Sequence, residues 1–265
     1  QNMNAKKLSF LLLILVAVAC TNRSTSSEQD EMRHWNNVLQ QINALLLENK
    51  ARQTLDLAKQ TLPEILESAE KNGTTDTLIY YARKIFNACG NNYINTKQYK
   101  DGIDYMDSIG NHPLIREHCP HELLSFKAGL NQLYGNNPEA VRLAEDYLQL
   151  PVCTSANDFI RQAEIISGVY MYSGNNLPKA IQILEKAIDV YRKGGNFPNM
   201  LRIMSRLGIY YHLSGEYEKA IATNQEAIAT YNDSIAPGNV VIAYGEQANL
   251  YAELGMYDQA LEMNK

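Results

Sequence analysis

Leu207-Gly208-Ile209-Tyr210-Tyr211-His212-Leu213-Ser214-Gly215-Glu216-Tyr217-Glu218-Lys219-Ala220-Ile221 is the stretch that decides the fold. An apolar, Tyr-bearing segment stops at Gly215, and a second apolar periodicity begins within a few residues. Gly after a helix suits a left-handed C-terminal cap, because the absence of a Cβ removes the steric penalty. The small Ala220 lets the second helix press closely against the first. The stretch therefore reads as a helical hairpin.

The same register recurs on both sides. Ala140, Ala180, Ala220 and Ala260 stand 40 residues apart, each five or six residues after Gly135, Gly174, Gly215 or Gly255. Each Ala is followed by an aliphatic residue: Val141, Ile181, Ile221 or Leu261. Tyr170, Tyr211 and Tyr251 each precede their Gly by four residues. Downstream, Ile181, Leu184, Ala187, Ile188 and Tyr191 recur at three and four, which marks one face of a helix. Pro138 and Pro178 sit near helix starts, where a missing N–H costs little. Each unit is thus a helical hairpin whose apolar face is completed by the next one.

Leu207-Gly208, Tyr211, Gly215-Glu216-Tyr217, Ala220 and Ala227 resemble the tetratricopeptide repeat, as do Tyr251, Gly255, Tyr257 and Ala260. Residues 160–265 and 121–150 carry the resemblance. It thins upstream, where Tyr99, Gly102 and Ile103 echo the pattern with Gly in place of Ala, and Leu39–Leu47 with Ala51–Leu62 gives one more hairpin. The resemblance implies an all-α fold, a right-handed superhelical solenoid of antiparallel helical hairpins with a period of about 40 residues against the usual 34. Over 34–265 it implies five hairpins and a truncated sixth, so the chain is expected to be part of a longer protein.

The N-terminus reads differently. Lys6 and Lys7 precede an apolar run, Leu8–Ala19, that ends at Cys20. The run is shorter than the roughly 20 residues a membrane-spanning helix needs. A positive end, a short apolar core and small residues describe an export signal over 1–20. Val16-Ala17-Val18-Ala19-Cys20 resembles a bacterial lipoprotein signal, which implies lipidation of Cys20; a plain cleaved signal ending in Cys is the other reading. Residues 21–33 are polar, then acidic, and are expected to form a flexible tether.

Composition narrows the partners. A net charge of −5 offers no basic stripe for nucleic acid. Tyr is abundant, at 17 against 5 Phe, which suits helix seams as well as binding surfaces. No phosphate loop, His-Glu-x-x-His or Gly-x-Ser-x-Gly is present, and Ser68 with Lys71 has the spacing of a Ser-Lys pair but no pocket around it. The reading is a non-enzymatic chain that needs no cofactor. His112, His118, Cys119 and His121 could in principle supply metal ligands, but their spacing matches no common motif. Pro113 and Pro120 suggest instead an exposed loop between hairpins. Cys119 and Cys153 follow consecutive hairpins and could approach each other. With Cys89 they make three thiols, so one stays unpaired, and buried thiols in helical seams are the expectation.

In tetratricopeptide arrays the first helix of each hairpin lines a groove. Carried onto this sequence, the resemblance implies that Arg161, Glu164, Arg202, Ser205, Ile209, His212, Asn249 and Glu253 face it. Arg202 and Arg206 on one helix could grip a carboxylate bidentately. The expected function is an exported scaffold, periplasmic or anchored to the outer membrane of a Gram-negative bacterium, that binds a peptide or protein segment. The alternative is the periplasmic sensory region of a larger membrane-bound histidine kinase or transcriptional regulator. Membrane attachment would come only through the N-terminal lipid or through a transmembrane segment outside this sequence.

Overall fold

The computed structural model describes residues 26–151, 156–194, 197–230 and 237–264. The expected signal, Cys20 and Cys153 lie outside them. Every regular element among the described residues is an α-helix, and none is long and apolar enough to cross a membrane.

The chain divides into two compact units, 1–50 and 51–265. The first contains α1, Ser26–Leu47. This helix begins inside the stretch expected to be a flexible tether. Glu28, Asp30 and Glu31 fall near its N-terminus, where the helix dipole favours negative charge, and Asp30 pairs with Arg33 one turn later at 3.3 Å.

The second unit holds α2 (Ala51–Asn72), α3 (Asp76–Asn95), α4 (Tyr99–Ile109), α5 (Pro113–His118), α6 (Pro120–Tyr134) and α7 (Asn137–Gln149). It continues through α8 (Ala156–Tyr172), α9 (Leu177–Gly194), α10 (Phe197–Leu213), α11 (Tyr217–Thr230), α12 (Pro237–Glu253) and α13 (Tyr257–Met263). Successive helices pack as hairpins, α6 on α7, α8 on α9, α10 on α11 and α12 on α13. First helices also meet first helices: α3 packs on α6, α6 on α8, α8 on α10 and α10 on α12. One apolar core runs without a break from Ala128 to Leu250.

The turns show why the register repeats. Gly135, Gly215 and Gly255 have φ of 95°, 79° and 76°, as a left-handed cap requires. Each donates its N–H three residues back, and the next residue donates five back: Glu216 N–H to the Tyr211 carbonyl at 2.9 Å and Met256 N–H to that of Tyr251 at 2.7 Å. This double closure satisfies carbonyls that would otherwise be orphaned at the helix end. Gly174 departs from the expectation. The left-handed residue there is Asn175, with φ 44°, and Asn176 N–H reaches six residues back to Tyr170. The helix end holds one extra residue, which accounts for the six-residue spacing from Gly174 to Ala180.

Measured from the left-handed residue, the spacing is constant. Asn175, like the three glycines, lies five residues before a buried Ala, and Lys97 (φ 59°) lies five before the buried Gly102. Asn49 (φ 56°) likewise precedes the buried Thr54 by five. Upstream, the repeat persists in the backbone after its glycines have gone.

Two other local expectations change. The helix expected over Ala51–Leu62 runs through Pro63 to Asn72, because Leu62, Ile65, Leu66 and Ala69 continue its buried stripe. The loop expected around His112–His121 is the short helix α5, with Pro113 at its first turn and Leu114 and Ile115 buried. Pro120 opens α6 in the same way. Both prolines start helices, since a first-turn residue needs no intrahelical N–H bond.

Candidate functional site

The residues expected to line a groove lie on α8, α10 and α12, and the structure sorts them into two clusters. In the first, Arg202 of α10 donates from Nη2 to Glu164 Oε2 of α8 at 2.8 Å. Arg161, one turn before Glu164, donates from Nε to Asn91 Oδ1 of α3 at 2.7 Å. Arg206 follows Arg202 by one turn, so α8 and α10 bring three guanidinium groups around one carboxylate. Glu164 is 5% exposed, which leaves Arg202 as its cover. Burial holds Arg161 below the ordinary guanidinium range; Glu164 pulls it back up, and the like charges of Arg202 and Arg206 press it further down.

The floor between these side chains is bare. At Gly168, the position a Cβ would occupy lies 3.8 Å from Gln132 Oε1 of α6 and 4.0 Å from Arg206 Nη1. Gln132, Gly168 and Arg206 thus form a rung across three consecutive first helices. Tyr210, buried one turn past Arg206, has its hydroxyl pKa raised by burial, with the charge of Arg206 opposing the shift.

The second cluster joins α10 to α12. His212 Nε2 lies 2.6 Å from Glu253 Oε2, and Nδ1 lies 3.6 Å from Glu246 Oε2. Tyr217 donates to the other Glu253 oxygen at 3.1 Å. The bonds from His212 and Tyr217 hold the Glu253 carboxyl below its usual range. His212 is therefore engaged in a helix seam rather than presented to a ligand. Asn249 is exposed on α12, and Ile209 is half-buried. Ser205 does not line a surface as expected: it is buried, and its hydroxyl donates to the Leu201 carbonyl at 2.9 Å.

The metal candidates do not converge, and among the described residues no group of three or more His, Cys, Asp or Glu is placed to hold a metal ion. His112 caps α5, accepting from Leu114 N–H, and its Nε2 lies 3.1 Å from Glu70. His118 gives its carbonyl to Arg83. Cys119 is buried at the junction of α5 and α6, and His121 Nε2 reaches the Pro151 carbonyl at 2.7 Å. Cys89 is also buried, its thiol pushed up to about 12 by burial.

Asn91, Gln132 and Gly168 were not legible as site residues. Asn91 falls where the repeat loses its glycines, and Gly168 reads in sequence as one more small residue of an apolar face. Only the packing of three first helices shows that they meet.

Residues 163–233 match the tetratricopeptide repeat family. The fold is similar to that of BtubC from P. vanneervenii, at 12% identity and a TM-score of 0.62 over 80% of this chain and 87% of that one. It is also similar to a signal transduction ATPase with a tetratricopeptide repeat sensor from Pyrococcus horikoshii, at 18% identity and a TM-score of 0.63. There the match covers 92% of this chain and 40% of that one. A Rap protein complexed with competence and sporulation factor matches at 17% identity and a TM-score of 0.50, over 88% of this chain and 74% of its own. No curated protein matches the sequence. The turn register, the packed hairpins and the family match agree that the chain carries tetratricopeptide repeats within an all-α array of helical hairpins.

Proposed function

We propose that the chain is an exported interaction scaffold that binds a peptide or protein segment along its first-helix face. The observation that carries this reading is the rung of Gln132, Gly168 and Arg206 across three helices, flanked by Arg161 and Arg202. It is a polar surface with a bare floor, set on rigid elements. The likeness to a Rap protein complexed with competence and sporulation factor supports a segment laid along such an array. Peptides selected from a random display library on the purified chain test it. Gly168→Leu fills the floor without changing a charge, and Leu is the better helix former. Binding should fall at least tenfold in Gly168→Leu and stay unchanged in Arg192→Ala on the second-helix side. Equal binding in all three proteins, with helical content preserved, would sink the reading.

Export is supported by Lys6, Lys7 and the apolar run ending at Cys20. Radiolabelled palmitate should enter the chain in an expressing bacterium and be lost in Cys20→Ala; label that persists in the variant contradicts lipidation. A sensory region of a larger regulator is the second reading, supported by the likeness to an ATPase with a tetratricopeptide repeat sensor. An effector or transmembrane segment encoded after Lys265 would favour it over a free-standing lipoprotein.

A further inference from the structure

Charge balance on the first-helix face points to what it binds. Arg161, Arg202 and Arg206 bring three positive charges, and Glu164 is the single carboxylate that the structure sets among them. Two positive charges are left over on a half-buried surface, where solvent compensates them poorly. The hydrogen-bonding capacity is also incompletely used. Arg202 commits Nη2 to Glu164, but its buried Nε has no hydrogen-bond partner. Arg161 commits Nε to Asn91. Arg206 Nη1 borders the bare floor above Gly168, beside the Gln132 amide. Guanidinium forks are the side chains best matched to carboxylate and phosphate oxygens.

We infer that Arg161, Arg202 and Arg206 form a subsite for a doubly charged anionic group of a bound peptide, either two neighbouring acidic side chains or one phosphoryl group. Glu164 stays in place as an internal counter-charge that holds Arg202 in position and limits affinity for singly charged groups. The inference rests on the first-helix face being the binding surface. It adds the chemistry of the ligand, and the excess of two charges sets the valence.

Calorimetric titration of the full chain with N-acetylated hexaglutamate, with a phosphoserine peptide of equal length and with hexalysine tests it. At least one anionic peptide should bind while hexalysine does not, and the tighter of the two identifies the source of the charge. Arg206→Gln should weaken that peptide at least tenfold, and raising salt should weaken it further. Glu164→Gln removes the competing charge and should tighten it several-fold, an effect that a damaged fold would not produce. Failure of both anionic peptides to bind, or binding within twofold of the parent in Arg206→Gln, overturns the inference. The scaffold reading fails separately: library peptides that lose binding in Gly168→Leu but not in Arg206→Gln would leave it standing and remove only the anionic subsite.

Discussion

At Gly215 the backbone has φ 79°, and no atom lies within 4 Å of the position a Cβ would take. A side chain there meets no steric clash with its neighbours, so the cost of replacing Gly is the left-handed conformation itself, roughly 1–2 kcal/mol. Gly215→Ala should therefore lower unfolding stability by about 1 kcal/mol, and Asn175→Gly should raise it slightly. Urea unfolding of the three proteins measures this, and a neutral Gly215→Ala would contradict the turn assignment. These residues also mark what was legible. Gly135, Gly215 and Gly255 announce their turns because only Gly is at ease there. Asn49, Lys97 and Asn175 do the same work without announcing it, since nothing in a Lys predicts φ of 59°. The site behaved similarly. Arg161, Arg202 and Arg206 were readable from helix register, whereas Ser205 and His212 turned out to satisfy local partners.

At the scale of helices, the abundant Tyr residues belong to the seams. Tyr170 of α8 lies under Lys179 of α9, with Nζ 4.4 Å from the ring, and Lys179 pairs with Glu145 of α7 at 2.7 Å. Forty residues on, Tyr211 of α10 donates to Glu185 of α9 and lies under Lys219 of α11 at 5.2 Å. Tyr251 of α12 accepts from Gln225 of α11, at the position equivalent to Glu185. In the first seams, Cys89 of α3 meets Tyr105 of α4, while Lys59 of α2 lies over the rings of Tyr93 and Tyr105. Burial raises the pKa of Cys89 and of Tyr170 to about 12 and pushes Tyr93, Tyr105 and Tyr211 higher still. These groups are neutral when protonated, and the folded chain keeps its protons longer than the unfolded one. Their contribution to stability is complete below about pH 9, near the unfolded thiol value, and declines as pH rises toward 12. The urea midpoint should thus be lower at pH 10.5 than at pH 8, and less so in Cys89→Ala. A midpoint that is unchanged or higher at pH 10.5 would refute the seam assignment. The Tyr spacing was visible in sequence, but its Glu and Lys partners were not, because each lies on a different helix.

Over the whole chain, the hairpin array was legible wherever a Gly turn and a small Ala recur together. It faded where Gly102 and Thr54 stand in for Ala. The interruption at α5 was read as a loop because its prolines looked like breakers, when each in fact opens a helix. The binding face was half legible for a physical reason. Helix register shows which residues share one side of a helix, but Asn91, Gln132 and Gly168 become neighbours only through the packing of first helix on first helix. That packing is what the functional account depends on. Hydrogen–deuterium exchange of the full chain, with and without a library-selected peptide, measures it most directly. The account predicts that bound peptide slows exchange in α6, α8 and α10 and leaves α7, α9 and α11 unchanged. Slowing confined to α7, α9 and α11 would place the ligand on the opposite side and contradict it.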